Sequence, residues 1–183
     1  RAAIREAGGI PPLVALVSSG TDEQKRHATL ALGNLAFDAT NRTSIQEAGG
    51  IAPLVALAKR GTDEQMRHAT IVLGNLALDE ANQRKIREAG GIPPLVTLVD
   101  SGNDEQKRRA TIVLGRLADD DENQIKIREA GGIPPLVKLA SSGTDEQMRH
   151  ATIALGNLVL EQTNAAAIRD AGGIAPLVTL ASS

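Results

Sequence analysis

The sequence lacks the aromatic side chains that fill most protein cores. Among its 183 residues tryptophan and tyrosine are absent and phenylalanine occurs once, at Phe37, although 42% of the residues are hydrophobic. The core must therefore be built from Ala, Leu, Ile and Val, which pack well between closely spaced helices. A β-sandwich or barrel of this size would need larger residues for its wider interior, so the composition favours an all-helical fold.

Cysteine is also absent, which excludes a disulfide framework, a thiolate metal site and a cysteine nucleophile. Twenty Lys and Arg residues against 22 Asp and Glu give a net charge of −2, which supplies no general field for nucleic acid or an anionic membrane. The longest apolar runs, such as residues 51–58, are far shorter than the roughly 20 residues of a spanning helix, and no charged-then-apolar leader opens the chain. We expect a soluble protein with no nucleic-acid partner, no membrane insertion and no cofactor, in the cytoplasm or, alternatively, the nucleus.

Internal repetition is what the sequence has in abundance. A Gly-Gly pair recurs every 41 residues without an insertion, beginning at Gly8, Gly49, Gly90, Gly131 and Gly172. Single glycines keep the same spacing, at Gly20, Gly61, Gly102 and Gly143. These two break points divide each unit into three segments. The repetition predicts a single array over residues 1–183, with about four full units and partial units at both ends.

Each unit contains two short segments with helix signals. The first, residues 41–48 in one unit, starts at Asn41, which is suited to capping, and ends at Gly49, where a left-handed conformation costs little. The second, residues 10–19, carries Pro11 and Pro12, which fit a first helical turn because the missing N–H would be unpaired there. Gly20 then ends it, so both segments are predicted to be helices.

The third segment has the strongest start signal. Thr21 can cap a helix with its hydroxyl, while Gln24 can return a hydrogen bond to the capping residue. The helix is predicted to run to about Asp38, and on a helical wheel its core residues cluster on one side, at Ala28, Leu32, Leu35 and Ala36. Because so narrow an apolar stripe cannot bury itself, successive units must stack around one core as a right-handed α-solenoid.

The motif that carries these signals is Gly-Ile-Pro-Pro-Leu-Val-x-Leu, then Asp-Glu-Gln, then Leu-Gly-Asn-Leu-Ala, which resembles the armadillo repeat. The resemblance covers the whole chain, and five in-register copies make it specific. It implies an all-α superhelix of three-helix repeats whose third helices line a concave groove. The nearest types are catenin-like and vacuolar cytoplasmic scaffolds and plant or protist armadillo proteins, rather than the nuclear-import adaptors.

The side of each third helix opposite the core is predicted to be the working surface. Four positions per helix lie on it, and we call each set of four a third-helix stripe. The stripes are Glu23, His27, Leu30 and Asn34; Glu64, His68, Ile71 and Asn75; Glu105, Arg109, Ile112 and Arg116; and Glu146, His150, Ile153 and Asn157. They are flanked by Arg26, Arg67, Arg108 and Arg149.

The asparagines of the stripes are the strongest functional signal. A carboxamide offers a donor and an acceptor together, so it can pair with both the N–H and the C=O of an extended peptide. The matching Asn of armadillo proteins is understood to do this, so the resemblance implies that Asn34, Asn75 and Asn157 hold ligand main chain. The alternative is that these amides only tie helix ends or adjacent repeats together.

The position one turn before each Asn separates this chain from the import adaptors. Those proteins place a Trp there, which stacks on Lys stems of the ligand, whereas this chain has Leu30, Ile71, Ile112 and Ile153. Recognition of basic import signals is therefore not expected. The aliphatic rows are suited to apolar ligand side chains or to lateral contact between repeats.

The charged stripe positions leave further alternatives open. Stacked helices lie about 8–10 Å apart, which is too far for the histidines to share a zinc ion that needs several ligands at about 2.1 Å. The histidines would instead contact ligand, with a mild pH dependence of binding, or simply be solvated. Arg109 and Arg116 replace His and Asn in the third unit, and they would bind an acidic ligand residue or form internal ion pairs.

No catalytic constellation accompanies the stripes. The Gly-Gly pairs precede Ile-Pro or Ile-Ala, without the Lys-Ser or Lys-Thr of a phosphate loop, and repeated units do not converge different residues on one point. We expect a non-enzymatic scaffold that binds an extended peptide along the groove. The alternatives are an array that self-associates through uncapped ends, and a fragment or engineered repeat protein with no native ligand.

Overall fold

The structure, a computed structural model, describes the backbone of residues 2–181 and the side chains of residues 2–178. Every regular element in this part of the chain is an α-helix. None of the described helices is both long enough and apolar enough to cross a bilayer. The chain divides into two compact units, unit 1 (Arg1–Gly91) and unit 2 (Ile92–Ser183).

Seven described helices belong to unit 1: α1 (Ala2–Glu6), α2 (Ile10–Ser19), α3 (Asp22–Leu35), α4 (Ala39–Glu47), α5 (Ile51–Arg60), α6 (Asp63–Leu76) and α7 (Glu80–Glu88). The long helix α3 packs against α2 and α6, and α6 also packs against α5. Unit 2 repeats the pattern with α8 (Ile92–Ser101), α9 (Asp104–Leu117), α10 (Asp121–Glu129), α11 (Ile133–Ser142), α12 (Asp145–Leu158), α13 (Gln162–Asp170) and α14 (Ile174–Ala181). There α12 packs against α9 and α11. The recurring order confirms the three-helix unit that the period predicts.

Each long third helix begins where the sequence predicts, because a capping box fixes its start. Thr21 Oγ1 accepts a hydrogen bond from Gln24 N at 3.3 Å, and Gln24 Oε1 accepts one from Thr21 N at 2.9 Å. The same reciprocal pair starts α6, α9 and α12. Two backbone donors of the first turn are satisfied in this way at every third helix.

The third helices end about one turn earlier than predicted. Helix α3 ends at Leu35, and Asp38 caps the next helix by accepting a hydrogen bond from Asn41 N at 3.0 Å. Helix α4 therefore starts at Ala39, and the predicted cap Asn41 is instead buried inside it. Its Nδ2 donates to Leu35 O at 3.1 Å, a carbonyl at the end of α3 that also accepts a hydrogen bond from Asp38 N at 3.1 Å.

The core of the third helices is aliphatic, as the composition predicts. The four residues predicted to face it are at most 2% exposed: Ala28, Leu32, Leu35 and Ala36. Leu73 and Leu76 of α6 and Leu114 and Leu117 of α9 are fully buried. Burying one such side chain contributes about 1.5–3 kcal/mol, so the repeated Leu positions hold each third helix against its neighbours.

Candidate functional site

The third-helix stripes of unit 1 do not share one environment. On α3 every stripe residue is exposed: Glu23, His27, Leu30 and Asn34. On α6 Glu64 is exposed and Ile71 is half-buried, whereas His68 is only 7% exposed and Asn75 only 9%. A helical wheel considers one helix at a time, so it cannot show this difference.

The stripes of unit 2 are intermediate between these two cases. On α9 all four side chains are half-buried: Glu105, Arg109, Ile112 and Arg116. On α12 Glu146 and Ile153 are exposed, while His150 and Asn157 are half-buried. Each stripe therefore presents a different mixture of accessible atoms, although the four sequences are close copies.

Two stripe amides hydrogen-bond to the preceding third helix. Asn75 Nδ2 donates to Gly33 O at 3.5 Å, and Asn157 Nδ2 donates to Gly115 O at 3.0 Å and to Asp119 Oδ1 at 2.8 Å. These bonds are the repeat-tying contacts that the sequence leaves as an alternative. A carboxamide oxygen accepts independently of its N–H₂ group, so these bonds leave the Oδ1 acceptor of each amide unused.

The charged residues of unit 1 compensate one another. Arg26 Nη2 lies 2.8 Å from His27 Nε2, Arg67 Nη2 lies 3.1 Å from His68 Nε2, and Arg26 Nη1 lies 3.7 Å from Glu64 Oε1. Because guanidinium groups only donate, each His Nε2 atom takes the acceptor role in these contacts. Burial lowers the pKa of His68, and the charge of Arg67 lowers it further against the opposing effect of Glu64.

The charged residues of unit 2 form a tighter cluster. Glu105 accepts two hydrogen bonds from Arg108, at 2.9 and 3.0 Å, and one from Arg109 Nε. Burial raises the pKa of Glu105, but the hydrogen bonds from Arg108 and Arg109 outweigh it, so that the pKa lies below its usual value. Arg108 Nε also lies 3.4 Å from Glu146 Oε2. Arg109 is thus in the internal ion pair that the sequence leaves as an alternative to an acidic ligand.

The short first helices carry buried polar side chains whose hydrogen bonds the sequence does not predict. Gln83 Nε2 donates to Ala77 O and Gln124 Nε2 donates to Ala118 O, both at 3.0 Å. The signal for this network is a second asparagine series with the same period, at Asn41, Asn82, Asn123 and Asn164, all of which are buried. The side chains of this series hydrogen-bond to helix ends and loops. Because both asparagine series repeat every 41 residues, the period alone cannot show which series has this structural role and which lies on the stripes.

The described residues contain no group of three or more His, Asp or Glu residues placed to hold a metal ion. The stripes offer main-chain-like donors and acceptors, compensated charges and exposed aliphatic groups. This combination is suited to contact with another polypeptide.

Two family models match the chain. The model of the armadillo/beta-catenin-like repeat matches residues 1–37 and 120–160, and an armadillo-like model matches residues 46–130. A search of curated proteins found no matching relative.

Several solved structures of engineered proteins have the same fold. A designed armadillo repeat protein in complex with peptide (KR)4 is 29% identical, with a TM-score of 0.89 over 97% of this chain and 76% of that chain. Computationally designed armadillo repeat proteins for modular peptide recognition give 29% identity and a TM-score of 0.91, over 99% and 78% of the two chains. Another engineered protein is 33% identical, with a TM-score of 0.87 over 95% of this chain and 72% of that chain. With its three-helix unit, its capping boxes and these matches, the chain belongs to the armadillo repeat family.

Proposed function

We propose that the chain is a non-catalytic scaffold that binds an extended peptide of a partner protein on its third-helix stripes. The observation that carries the proposal is the state of the stripe amides. The side chain of Asn34 is exposed and makes no hydrogen bond within the described residues, while Asn75 and Asn157 retain their Oδ1 acceptors after binding the preceding helix. The related designed proteins, one of which is in complex with a peptide, support the same use of the fold.

The amides of unit 1 lie at matching positions on adjacent helices. Asn75 reaches Gly33 O, the carbonyl of the residue that precedes Asn34. A peptide crossing α3 and α6 would therefore meet a carboxamide on each helix. An extended strand presents both N–H and C=O groups at its edge, and side chains alternate between its two faces. Amide contacts would hold the main chain, and the neighbouring stripe residues would contact the side chains.

The experiment is a peptide-library pulldown with the full chain and an Asn34→Ala variant. Asn34 has no structural hydrogen bond to lose, so its substitution tests ligand capture without disturbing the fold. A second variant also carries Asn75→Ala and Asn157→Ala, and its helicity is checked by circular dichroism. Thr43→Ala, an exposed change on α4 outside the stripes, is the matched control.

We expect the parent chain and Thr43→Ala to retain the same peptides. Asn34→Ala should weaken the binding of these peptides, and the triple variant should no longer retain them. If the triple variant keeps the same peptides, main-chain capture by the stripe amides is wrong. If the parent retains no peptide, the scaffold proposal itself fails.

A second candidate function is self-association through helix α14. Ile174 and Val178 on this helix are 53% and 58% exposed, which is unusual for large aliphatic side chains in a core-forming segment. A second copy of the chain would cover them. Light scattering over a wide range of concentrations tests this candidate, and a monomer at the highest concentration contradicts it.

A further inference from the structure

Exposed apolar side chains concentrate beside the stripe asparagines. The large apolar residues that are exposed within the described side chains are Ile4, Leu16, Leu30, Phe37, Leu78, Ile153, Leu160, Ile174 and Val178. Five of these nine lie within one or two helical turns of Asn34, Asn75 or Asn157: Leu30, Phe37, Leu78, Ile153 and Leu160. Clustering of exposed apolar groups marks an interaction surface more reliably than isolated examples do.

The three most distinctive of these residues follow an Asn by three positions. Phe37 is 58% exposed, Leu78 is 53% exposed and Leu160 is 79% exposed. Residues three or four apart in a helix lie on one face. The helical direction continues past each Asn, because the capping residues Ala36, Ala77 and Val159 keep right-handed helical dihedrals. We call these three residues the apolar exit positions.

Hydrogen bonds fix two of the exit positions relative to their asparagines. Leu78 N donates to Asn75 O at 3.3 Å, and Leu160 N donates to Asn157 O at 3.5 Å. Each of these leucines is therefore held one turn beyond the amide that is proposed to bind ligand main chain. The arrangement of a stripe Asn followed one turn later by an exposed apolar residue recurs in unit 1 and unit 2.

The equivalent position in the remaining unit, three residues after Arg116, carries a residue with a structural role. Asp119 stands there, and its Oδ1 accepts a hydrogen bond from Asn157 Nδ2 at 2.8 Å. A polar residue at this position can thus serve the contact between repeats. Phe37, Leu78 and Leu160 have exposed apolar surface at this position, where a polar residue would be the better choice for solubility.

Charge does not provide an alternative source of ligand selectivity on these stripes. Arg26 pairs with Glu64, and Glu105 accepts hydrogen bonds from Arg108 and Arg109. Most stripe charges therefore have an opposite charge beside them in their own unit, which reduces the net charge that the stripes present to a ligand. The apolar groups are the feature that remains for recognition of ligand side chains.

We infer that the exit positions, Phe37 and Leu78 on unit 1 and Leu160 on unit 2, select apolar side chains of extended peptide bound to their own unit, each beside the main-chain segment that the neighbouring Asn holds. The ligand class is thus a segment with Leu, Ile, Val or Phe at positions that face the stripes, rather than a basic peptide. This inference rests on the proposed function, because it assigns the side-chain specificity of the same surface.

The test is a selection from a random decapeptide library with the full chain, followed by binding measurements on the selected peptides. The test variant combines Phe37→Ser, Leu78→Ser and Leu160→Ser, changes that affect exposed side chains only. Leu16→Ser is the matched control, because Leu16 is an exposed apolar residue of α2 outside the stripes. The basic peptide (KR)4 serves as the comparison ligand.

We expect the parent chain and Leu16→Ser to enrich apolar peptides and to bind them more tightly than (KR)4. The triple Ser variant should lose this enrichment and bind the selected peptide at least about ten-fold more weakly, which is the effect of losing about one buried apolar side chain. Retention of the same apolar consensus by the triple Ser variant overturns the inference, as does enrichment of basic or acidic peptides by the parent.

The asparagine variants keep the two proposals distinguishable. If Asn34→Ala weakens binding and the triple Ser variant does not, main-chain capture stands and apolar selection is wrong. If the triple Ser variant alone weakens binding, the exit positions bind ligand without the amides, and the proposed main-chain capture is wrong. A parent chain that captures no peptide overturns both.

Discussion

Arg42 of α4 and Asp79 at the start of α7 form a two-pronged ion pair between successive repeats of unit 1. Arg42 Nε donates to Asp79 Oδ2 at 2.6 Å, and Arg42 Nη2 donates to Asp79 Oδ1 at 3.0 Å. Arg42 is 9% exposed and also donates to Ala36 O at 3.4 Å. The hydrogen bonds that Arg42 donates to Asp79 are the main cause that raises the pKa of Arg42 above its usual value. The pair therefore joins two repeats and the end of α3.

Asp79→Asn should destabilise the chain by about 2 kcal/mol. The substitution removes the charge that compensates a nearly buried guanidinium, and hydrogen bonds to charged groups contribute about 1.5–3 kcal/mol. The cost stays below that of a fully buried pair because Asp79 is partly exposed. Urea unfolding followed by circular dichroism measures the change.

The control for this prediction is Lys85→Met. Lys85 Nζ lies 2.9 Å from Glu88 Oε2, but both side chains are more than half exposed. Exposed pairs of this kind contribute little, so the urea midpoint should not move. An equal loss in both variants would mean that the loss from Asp79→Asn does not come from the burial and geometry of its pair with Arg42.

Gly33→Ala should stabilise unit 1 by about 0.5–1 kcal/mol. Gly33 lies inside the last turns of α3, where glycine costs backbone entropy relative to alanine. A Cβ at this position would lie 3.6 Å from the nearest atom, Val72 Cγ2, which is an ordinary contact. Thermal unfolding provides the measurement, and a lower melting temperature would show that the close packing of α3 on α6 cannot accept the methyl group.

The opposite outcome is expected for Gly50→Ala. A Cβ there would lie 2.8 Å from Ile45 Cγ2 and 2.9 Å from Ile45 O, so the backbone must shift. Strain of this kind costs about 1–3 kcal/mol. The preceding residue, Gly49, has a φ of +75°, a conformation that alanine adopts with difficulty. Destabilisation by Gly50→Ala alongside stabilisation by Gly33→Ala would separate the turn glycines from the helix glycines.

Lowering the pH should decrease the free energy of unfolding before the pH reaches the range in which carboxylates are protonated. Burial lowers the pKa of His68, and burial with the charge of Arg149 lowers that of His150, so the unfolded chain binds these protons more readily. The stability that the neutral imidazoles contribute is complete above a pH of about 6.5, the ordinary value, and falls as the pH drops toward the lowered values.

The pH prediction is checked with denaturant unfolding at several pH values from about 8 to 5. The free energy of unfolding should decline through the lower part of this range, and His68→Gln should make the decline shallower. The pKa of Glu105 lies below its usual value, so the stability that this carboxylate contributes is present throughout this range and is lost only at lower pH. An unchanged slope in His68→Gln would assign the acid sensitivity to other groups.

The architecture follows from the sequence because its signals are local and repeated. The 41-residue period, the Thr21–Gln24 pair and the aliphatic side of the third helix each depend on neighbours along the chain, and the structure confirms them. The predicted end of α3 at about Asp38 is wrong, because Asp38 is able either to extend that helix or to cap the next one, and the sequence does not distinguish the two. The contact that decides between these outcomes, from Asn41 to the end of α3, is formed only in the folded unit.

The candidate site depends on packing between helices, and the sequence predicts it less completely. A helical wheel places His27 and His68 alike, yet one is exposed and the other is nearly buried. Two asparagine series share one period, and only the structure shows that Asn41 satisfies a helix end while Asn34 faces solvent. Contacts between repeats are absent from a one-helix pattern, so the role of each copy has to be read from its neighbours.

The two roles of the stripe asparagines can be separated by stability measurements without any ligand. Asn157→Ala removes hydrogen bonds to Gly115 O and Asp119 Oδ1, so it should cost about 1 kcal/mol in unfolding free energy. Asn34→Ala removes no described hydrogen bond and places a better helix former in α3, so stability should be unchanged or rise by about 0.5 kcal/mol. Comparison of the two urea midpoints checks the prediction. If Asn34→Ala proves as costly as Asn157→Ala, Asn34 has a structural partner that the described contacts do not show, and its loss of peptide binding could no longer be assigned to the ligand alone.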